Sequence, residues 1–304
     1  MRFAGRCALV TGAAGGIGAA IVALLWAEGA AVAATDRDTR GITAEALLPG
    51  DLRDRAFCDA LPGAAREALG TLDIVVNNAG AITRGPVTRT GDDDFALSMA
   101  VNVEAPFRIC RAAIPLIAAD GGGAIVNIAS CWGLRPGPNH ALYCATKAAL
   151  ASLTQCMGLD HAGEGARVNA VCPNEVNTPM LRSGFARRGL DPDTAVADLG
   201  RTVPLGRIAE PEDIAEVALF LASDAARYDT GALYEVTEGN RSDEDVRGKG
   251  RARHRRAVGD GAGHRAAPDR GGGAGLHRAA RSRRGVRGDR GRPGRSGGGG
   301  PCDV

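Results

Sequence analysis

Residues 7–18 read CALVTGAAGGIG, from Cys7 to Gly18, and join an apolar run to a glycine-rich turn that opens directly into a helical pattern. Over residues 17–28, Ile17, Ile21, Leu24 and Leu25 fall on one face of a helix. A second apolar run at 30–34 follows and leads to Asp36. Strand, glycine turn, helix and strand in about thirty residues predict a βαβ unit, whose crossover helix returns the chain to a parallel neighbour. Further strand candidates lie at 72–76, 124–128 and 167–171, separated by longer helical stretches. None shows much polar alternation, which fits strands covered on both faces. The predicted fold class is therefore α/β: a single doubly wound parallel sheet with helices on both faces.

The turn itself has a chemical use. Gly12, Gly16 and Gly18, with Ile17 between the last two, permit a tight bend and let a pyrophosphate approach backbone N–H groups at the positive end of the helix. Asp36, directly after the second strand, can accept hydrogen bonds from the ribose hydroxyls of NAD and would repel the extra phosphate of NADP. Arg37 argues the other way, because a guanidinium can hold that phosphate bidentately. NAD is the favoured cofactor.

Residues 141–150 read as the start of a helix, which places Tyr143 and Lys147 one turn apart on the same face. A tyrosine with an ordinary pKa of about 10 is a poor base near neutrality unless a cation stabilises its phenolate. Lys147 is placed to do so. It is also the single lysine among residues 1–240, where arginine supplies the other 19 cations. The two side chains are the predicted proton-transfer pair.

Together these features resemble the short-chain dehydrogenase/reductase family, whose pattern is TGxxxGxG, NNAG, a helical Asn, a Ser and YxxxK. The chain has Thr11 to Gly18, Asn77-Asn78-Ala79-Gly80, Asn102, Ser130, and Tyr143 with Lys147, in that order. The resemblance implies a Rossmann fold and a hydride transfer between NAD(H) and a secondary alcohol or ketone, with no metal. It implies that Ser130 binds the substrate oxygen, Tyr143 exchanges a proton with it, and Lys147 lowers the tyrosine pKa while holding the nicotinamide ribose. Asn102 would anchor a water linking Lys147 to solvent. Asp51 and Leu52 would bracket the adenine, Asn78, Ala79 and Gly80 its ribose side, and the Val176 backbone and Thr178 hydroxyl would contact the carboxamide. The family's Pro-Gly turn stands here as Pro173-Asn174, and Asn is expected there because it tolerates a left-handed backbone.

The substrate pocket is expected between the 130–143 loop, Glu175 and a lid over about 180–200. Ser130, Tyr143, His140 and Glu175 are its predicted substrate contacts, with Trp132 and Arg135 as further loop candidates. A carboxylate and an imidazole suit a small polar, polyol-like or cyclic alcohol. Two other readings stand beside this one: an NADPH-dependent 3-oxoacyl-carrier reductase, against which Asp36 argues, and a non-catalytic NAD-binding regulator, against which the retained Tyr143 and Lys147 argue.

The formal charge of +2 over 304 residues conceals two unlike segments. Residues 1–240 hold 20 Lys+Arg against 28 Asp+Glu, whereas residues 241–304 hold 17 against 7, with 17 glycines and no Phe, Trp, Tyr or Ile. The second segment has too little apolar surface to offset backbone entropy and reads as a disordered Arg/Gly-rich tail. Its composition resembles GC-rich DNA read out of frame, so a frameshift near codon 238 is expected to have replaced the native C-terminus. Sixteen arginines could touch phosphates, but without stacking aromatics or a folded motif a nucleic-acid partner is not expected. The eight cysteines lack any CxxC pair and read as reduced, mostly buried thiols. The longest apolar run, residues 19–27, is under half of a bilayer span, and no secretory h-region opens the chain, so a cytoplasmic protein is expected; the resemblance implies a homo-oligomer, a tetramer or dimer, unless the altered C-terminus prevents assembly.

Overall fold

A computed structural model describes residues 1–239; the expected tail and Cys302 lie outside the described residues. In chain order the elements are β1 (Cys7–Thr11), α1 (Gly16–Ala27), β2 (Ala31–Thr35), β3 (Ala46–Leu47), α2 (Arg55–Leu69), β4 (Ile74–Asn77), α3 (Asp92–Met99), a π-helical segment (Ala100–Glu104) and α4 (Ala105–Ala119). There follow β5 (Gly123–Ile128), a short α5 (Cys131–Leu134), α6 (Ala141–Asp160), β6 (Ala166–Pro173), α7 (Pro179–Ala186), α8 (Pro192–Gly200), α9 (Pro211–Ala222) and β7 (Leu233–Val236). All seven strands are parallel, in the order β3-β2-β1-β4-β5-β6-β7. The α/β sheet predicted from sequence is present. Its five strand candidates are all strands, and β3 and β7 extend the two edges.

Alternate residues along each strand feed opposite cores, which is why the strands are apolar throughout. Ala8, Val10, Val76, Val126 and Val171 meet Ile21 and Leu25 of α1 and Ile214 and Leu219 of α9. On the other face Leu9, Val75, Ile125 and Val168 meet Leu61 of α2 and Ile109, Ile114 and Ile117 of α4. Burying a Leu or Ile side chain contributes about 1.5–3 kcal/mol. The chain runs outward from β1 to β3 and then restarts at β4 on the other side of β1. A crevice therefore opens at the carboxyl ends of β1 and β4, where loops diverge.

A buried polar chain fixes α6 against this sheet. Asn77 Nδ2 donates to Asn127 Oδ1 (2.9 Å), Asn127 Nδ2 to Thr154 Oγ1 (2.9 Å), and the Thr154 hydroxyl to the Leu150 carbonyl (2.8 Å). Hydrogen-bonded polar groups in a low-dielectric interior fix one register among the many an apolar contact would allow, here with the buried Asn77 Oδ1 left without a partner. The seven described cysteines are free thiols, all buried except Cys156. Among the described residues no helix is long and apolar enough to cross a membrane.

Candidate active site

The loop after β1 is shaped by contacts that exclude side chains. Gly12 and Gly16 adopt φ of +66° and +55°. A Cβ on Gly12 would lie 2.8 Å from the Ala79 Cα, and one on Gly18 would land on the Gly12 carbonyl oxygen. At Gly15 a Cβ would meet nothing within 4 Å, so this backbone borders open space. Helix α1 begins there with no side-chain cap and no acidic residue in its first turn, whereas Asp54, Thr178 and Asp191 cap α2, α7 and α8. Helix α1 therefore keeps the first-turn N–H groups and positive dipole end that suit an anion such as a diphosphate.

Asn78 secures the loop from beneath. Its Nδ2 donates to the carbonyls of Thr11 (3.0 Å) and Gly12 (2.9 Å), while Thr11 Oγ1 accepts from the N–H groups of Asn78 and Ala79, both at 3.1 Å. The Asn78 amide thus holds the glycine turn, a task its position in sequence does not reveal. Asp36 sits at the end of β2, where its carboxylate accepts from the Ala14 N–H (3.1 Å) and the Arg37 N–H (2.7 Å). Asp51 is engaged by Arg53, whose guanidinium holds its carboxyl below the usual carboxylate range, and Leu52 packs on the α2–α4 side of the sheet.

Four elements converge on Tyr143. Helix α6 carries Tyr143 half-buried and Lys147 buried, one turn apart. The Lys147 Nζ donates to the Ile128 carbonyl at the end of β5 (2.7 Å) and lies 6.0 Å from the centroid of the Tyr143 ring. Burial pulls the lysine down to about 8. Burial also pushes the Tyr143 hydroxyl up to about 12, an effect that a hydrogen bond with the Ser130 hydroxyl opposes. Ser130 itself caps α5, accepting from the Trp132 N–H (3.1 Å).

Asn102 closes the set from the π-helical segment. Its Oδ1 accepts from the Ala81 N–H (2.8 Å), and its Nδ2 donates to the Ala81 carbonyl (2.8 Å) and to Thr146 Oγ1 (3.0 Å). The side chain therefore clamps the segment that follows Gly80 to helix α6. The Gly80 backbone passes beside both groups: a Cβ there would lie 3.5 Å from Lys147 Nζ and 3.6 Å from Asn102 Oδ1, ordinary contact distances.

The segment after β6 differs from expectation in one respect. Asn139 is the single non-glycine residue with positive φ among those described, so Asn174 is not left-handed. Its N–H instead donates to the Val236 carbonyl (3.1 Å), prolonging the β6–β7 ladder, and its Nδ2 donates to the buried Glu238 carboxylate (2.6 Å). Val176 is buried and bridges Ala209, and Thr178 Oγ1 accepts from the Leu181 N–H (3.3 Å) at the start of α7. The expected lid region is two helices, α7 and α8.

Of the loop candidates, His140 packs edge-on against Trp132 (centroids 4.3 Å apart), and burial holds its imidazole below the usual histidine range. Glu175 is in electrostatic range of Tyr143. Arg135 is drawn away to β7, where it is paired with Glu235. One residue near Tyr143 escapes sequence reasoning altogether: Arg84, half-buried on the segment after β4. A recess of about 560 Å³ lies at the other end of the strands, beside the amino ends of β1, β4, β5 and β6. Its three arginines are already engaged, Arg6 with Asp73, Arg167 with the carbonyls ending α9 and Arg227 with the Asp224 carbonyl.

Comparison with known proteins identifies the family. A family model described as enoyl-(acyl carrier protein) reductase matches residues 12–240. The 4-formylbenzenesulfonate dehydrogenase of Comamonas testosteroni is 38% identical over 246 residues, which is 77% of this chain and 97% of that protein. The 2,5-dichloro-2,5-cyclohexadiene-1,4-diol dehydrogenase of Sphingobium indicum is 36% identical over 249 residues, covering 78% and 97%. The ligand-free aldohexose dehydrogenase of Thermoplasma acidophilum superposes with a TM-score of 0.74 at 28% identity, covering 77% of this chain and 93% of that one. With the family model spanning residues 12–240 and relatives above 30% identity covering more than three quarters of it, the chain belongs to the short-chain dehydrogenase/reductase family of oxidoreductases.

Proposed function

We propose that the protein is an NAD-dependent dehydrogenase that interconverts a secondary alcohol and a ketone on a small cyclic or otherwise polar substrate. The observation that carries this reading is the buried Lys147 ammonium one helical turn from Tyr143, with Ser130 facing the tyrosine hydroxyl. The uncapped start of α1 and the glycine turn fit a dinucleotide, with Gly12, Gly16, Ile17 and Gly18 at its diphosphate and Asp36 at its adenosine ribose. Asp51, Leu52, Ala79 and Gly80 would flank the adenine side, and Val176 and Thr178 the carboxamide side. When bound, NAD supplies the hydride acceptor, so the protein needs to manage only a proton and a position.

Ser130 donates a hydrogen bond to the substrate oxygen and orients the carbon that reacts. Tyr143 takes the alcohol proton at its phenolic oxygen, and the Lys147 charge offsets the cost of that phenolate in a buried setting. Asn102 holds the Ala81 backbone against α6 beside Lys147. His140 and Glu175 line the substrate side. The named activities of the cyclic diol and sugar dehydrogenases among the relatives support an alcohol substrate. Homo-oligomeric assembly belongs to the same reading and is checked by light scattering.

The test is a panel of cyclic alcohols, polyols and acyl thioesters assayed with NAD and NADP in both directions. Turnover of alcohols with NAD is expected. Turnover confined to acyl thioesters with NADPH would replace this reading by that of an acyl-carrier reductase.

A further inference from the structure

Arg84 has no part in the proton transfer described above, yet it stands where three elements meet in front of Tyr143. Its Nη2 donates to the Met180 carbonyl at the start of α7 (2.9 Å). Gly184, one turn further along α7, leaves the room it occupies: a Cβ there would lie 2.7 Å from Arg84 Nη2. The adjoining Gly85 donates to the Asn139 carbonyl (2.6 Å) and bridges His140, so the Arg84 segment is also tied to the 135–140 loop. The guanidinium is in electrostatic range of the Tyr143 hydroxyl and the Glu175 carboxylate.

The charges around Arg84 do not cancel. Burial, and then Arg187 and Arg188 facing it from the carboxyl end of α7, pull its pKa down. His140 faces the same group, and burial, which lowers its pKa, favours the neutral imidazole, so it offsets none of the positive charge. Glu175 supplies one carboxylate against three guanidiniums. None of the three arginines takes part in an ion pair among the described residues. Cations at the end of α7 are accounted for by the helix dipole, but Arg84 comes from a different element and is partly withdrawn from water. A half-buried guanidinium beside two like charges is unfavourable unless an anion completes the set.

We propose that Arg84 is a specificity determinant that receives an oxyanion, a carboxylate or sulfonate, carried by the alcohol substrate at a distance from its reacting carbon. Arg188 and Arg187 strengthen the field, and Glu175 orients the guanidinium from the other side. The site discriminates among alcohols by charge, whereas Ser130 and Tyr143 recognise the hydroxyl common to all of them. This assignment rests on the Tyr143 cleft being the reaction centre.

The test uses the full chain and two readouts. Calorimetric binding of benzoate and of benzyl alcohol, with and without NADH, reads the anion site without turnover. Benzoate should bind about 10- to 100-fold more tightly, as expected for a hydrogen bond to a charged group. Arg84→Gln keeps a donor for the Met180 carbonyl but removes the charge, and should abolish that preference; Arg84→Lys should retain part of it, and NADH affinity should stay unchanged in both. In the second readout, kcat/KM for 3-hydroxycyclohexanecarboxylate should exceed that for 3-methylcyclohexanol in the wild type and fall to parity in Arg84→Gln. Equal binding of the two probes, or a preference that survives Arg84→Gln, would overturn the assignment. Benzoate binding that depends on Arg84 in a protein oxidising no alcohol would instead refute the dehydrogenase reading and leave the anion site standing. Turnover indifferent to substrate charge would do the reverse.

Discussion

Lys147→Met should make the protein more stable near neutrality while abolishing its activity. Burial lowers the Lys147 pKa from 10.5 to about 8, so the folded state binds fewer protons than the unfolded state between those values. Stability therefore rises with pH across that window; the penalty is fully present below about pH 8 and gone above about pH 10.5. Its size is roughly 3 kcal/mol. Methionine fills a similar volume without the charge, but it leaves the Ile128 carbonyl, now bonded at 2.7 Å, without its donor. That loss costs about 1–2 kcal/mol. The variant should thus gain about 1–2 kcal/mol at about pH 7 and lose a similar amount at about pH 10.5, crossing over between. Urea denaturation of the cofactor-free protein and the variant across this range measures the difference directly. A variant less stable by a constant amount at every pH would refute the argument, because it would mean that the lysine is not held at a cost.

Other changes test the positions around it. Asp36→Asn keeps an acceptor for the Ala14 N–H but removes the charge, and should lower the NAD-to-NADP ratio of kcat/KM about ten-fold or more by relieving repulsion of the extra phosphate. Gly18→Ala would drive a Cβ into the Gly12 carbonyl oxygen; a loss of about 1–3 kcal/mol in urea denaturation and weaker NADH binding by fluorescence titration should accompany it. Asn102→Ala leaves both polar groups of Ala81 unpaired and should destabilise the fold by about 2–3 kcal/mol, with a shifted pH–rate profile distinguishing loss of lysine positioning from simple loosening.

The features legible in sequence are those that local physics specifies. The helix after the glycine turn follows from spacing, the continuous apolar strands from coverage on both faces, and the Tyr143–Lys147 pairing from the rise of one helical turn. What sequence did not reveal depends on partners distant in the chain. Nothing local to Asn78 says that its amide will hold the Thr11 and Gly12 carbonyls, 67 and 66 residues away. Arg135 looked like a pocket residue by its place in the loop, but Glu235, 100 residues on, claims it. Asn174 was read as filling a left-handed turn, and the β7 strand instead draws its backbone into the sheet. The setting of Arg84 is not legible in sequence because it is made by α7 and the 135–140 loop closing on it, a juxtaposition no spacing rule encodes. Two-residue β3 is too short to show any periodicity.

The most direct test of the central claim is Tyr143→Phe, assayed for NAD-linked oxidation of a secondary alcohol beside its NADH dissociation constant. Removing one hydroxyl deletes the proton acceptor and leaves the ring, Lys147 and the glycine turn in place. A fall in kcat of about a hundred-fold or more, with NADH affinity within a few-fold of wild type, is the predicted result. Full activity in the variant would contradict the account, since the proton would then have another route.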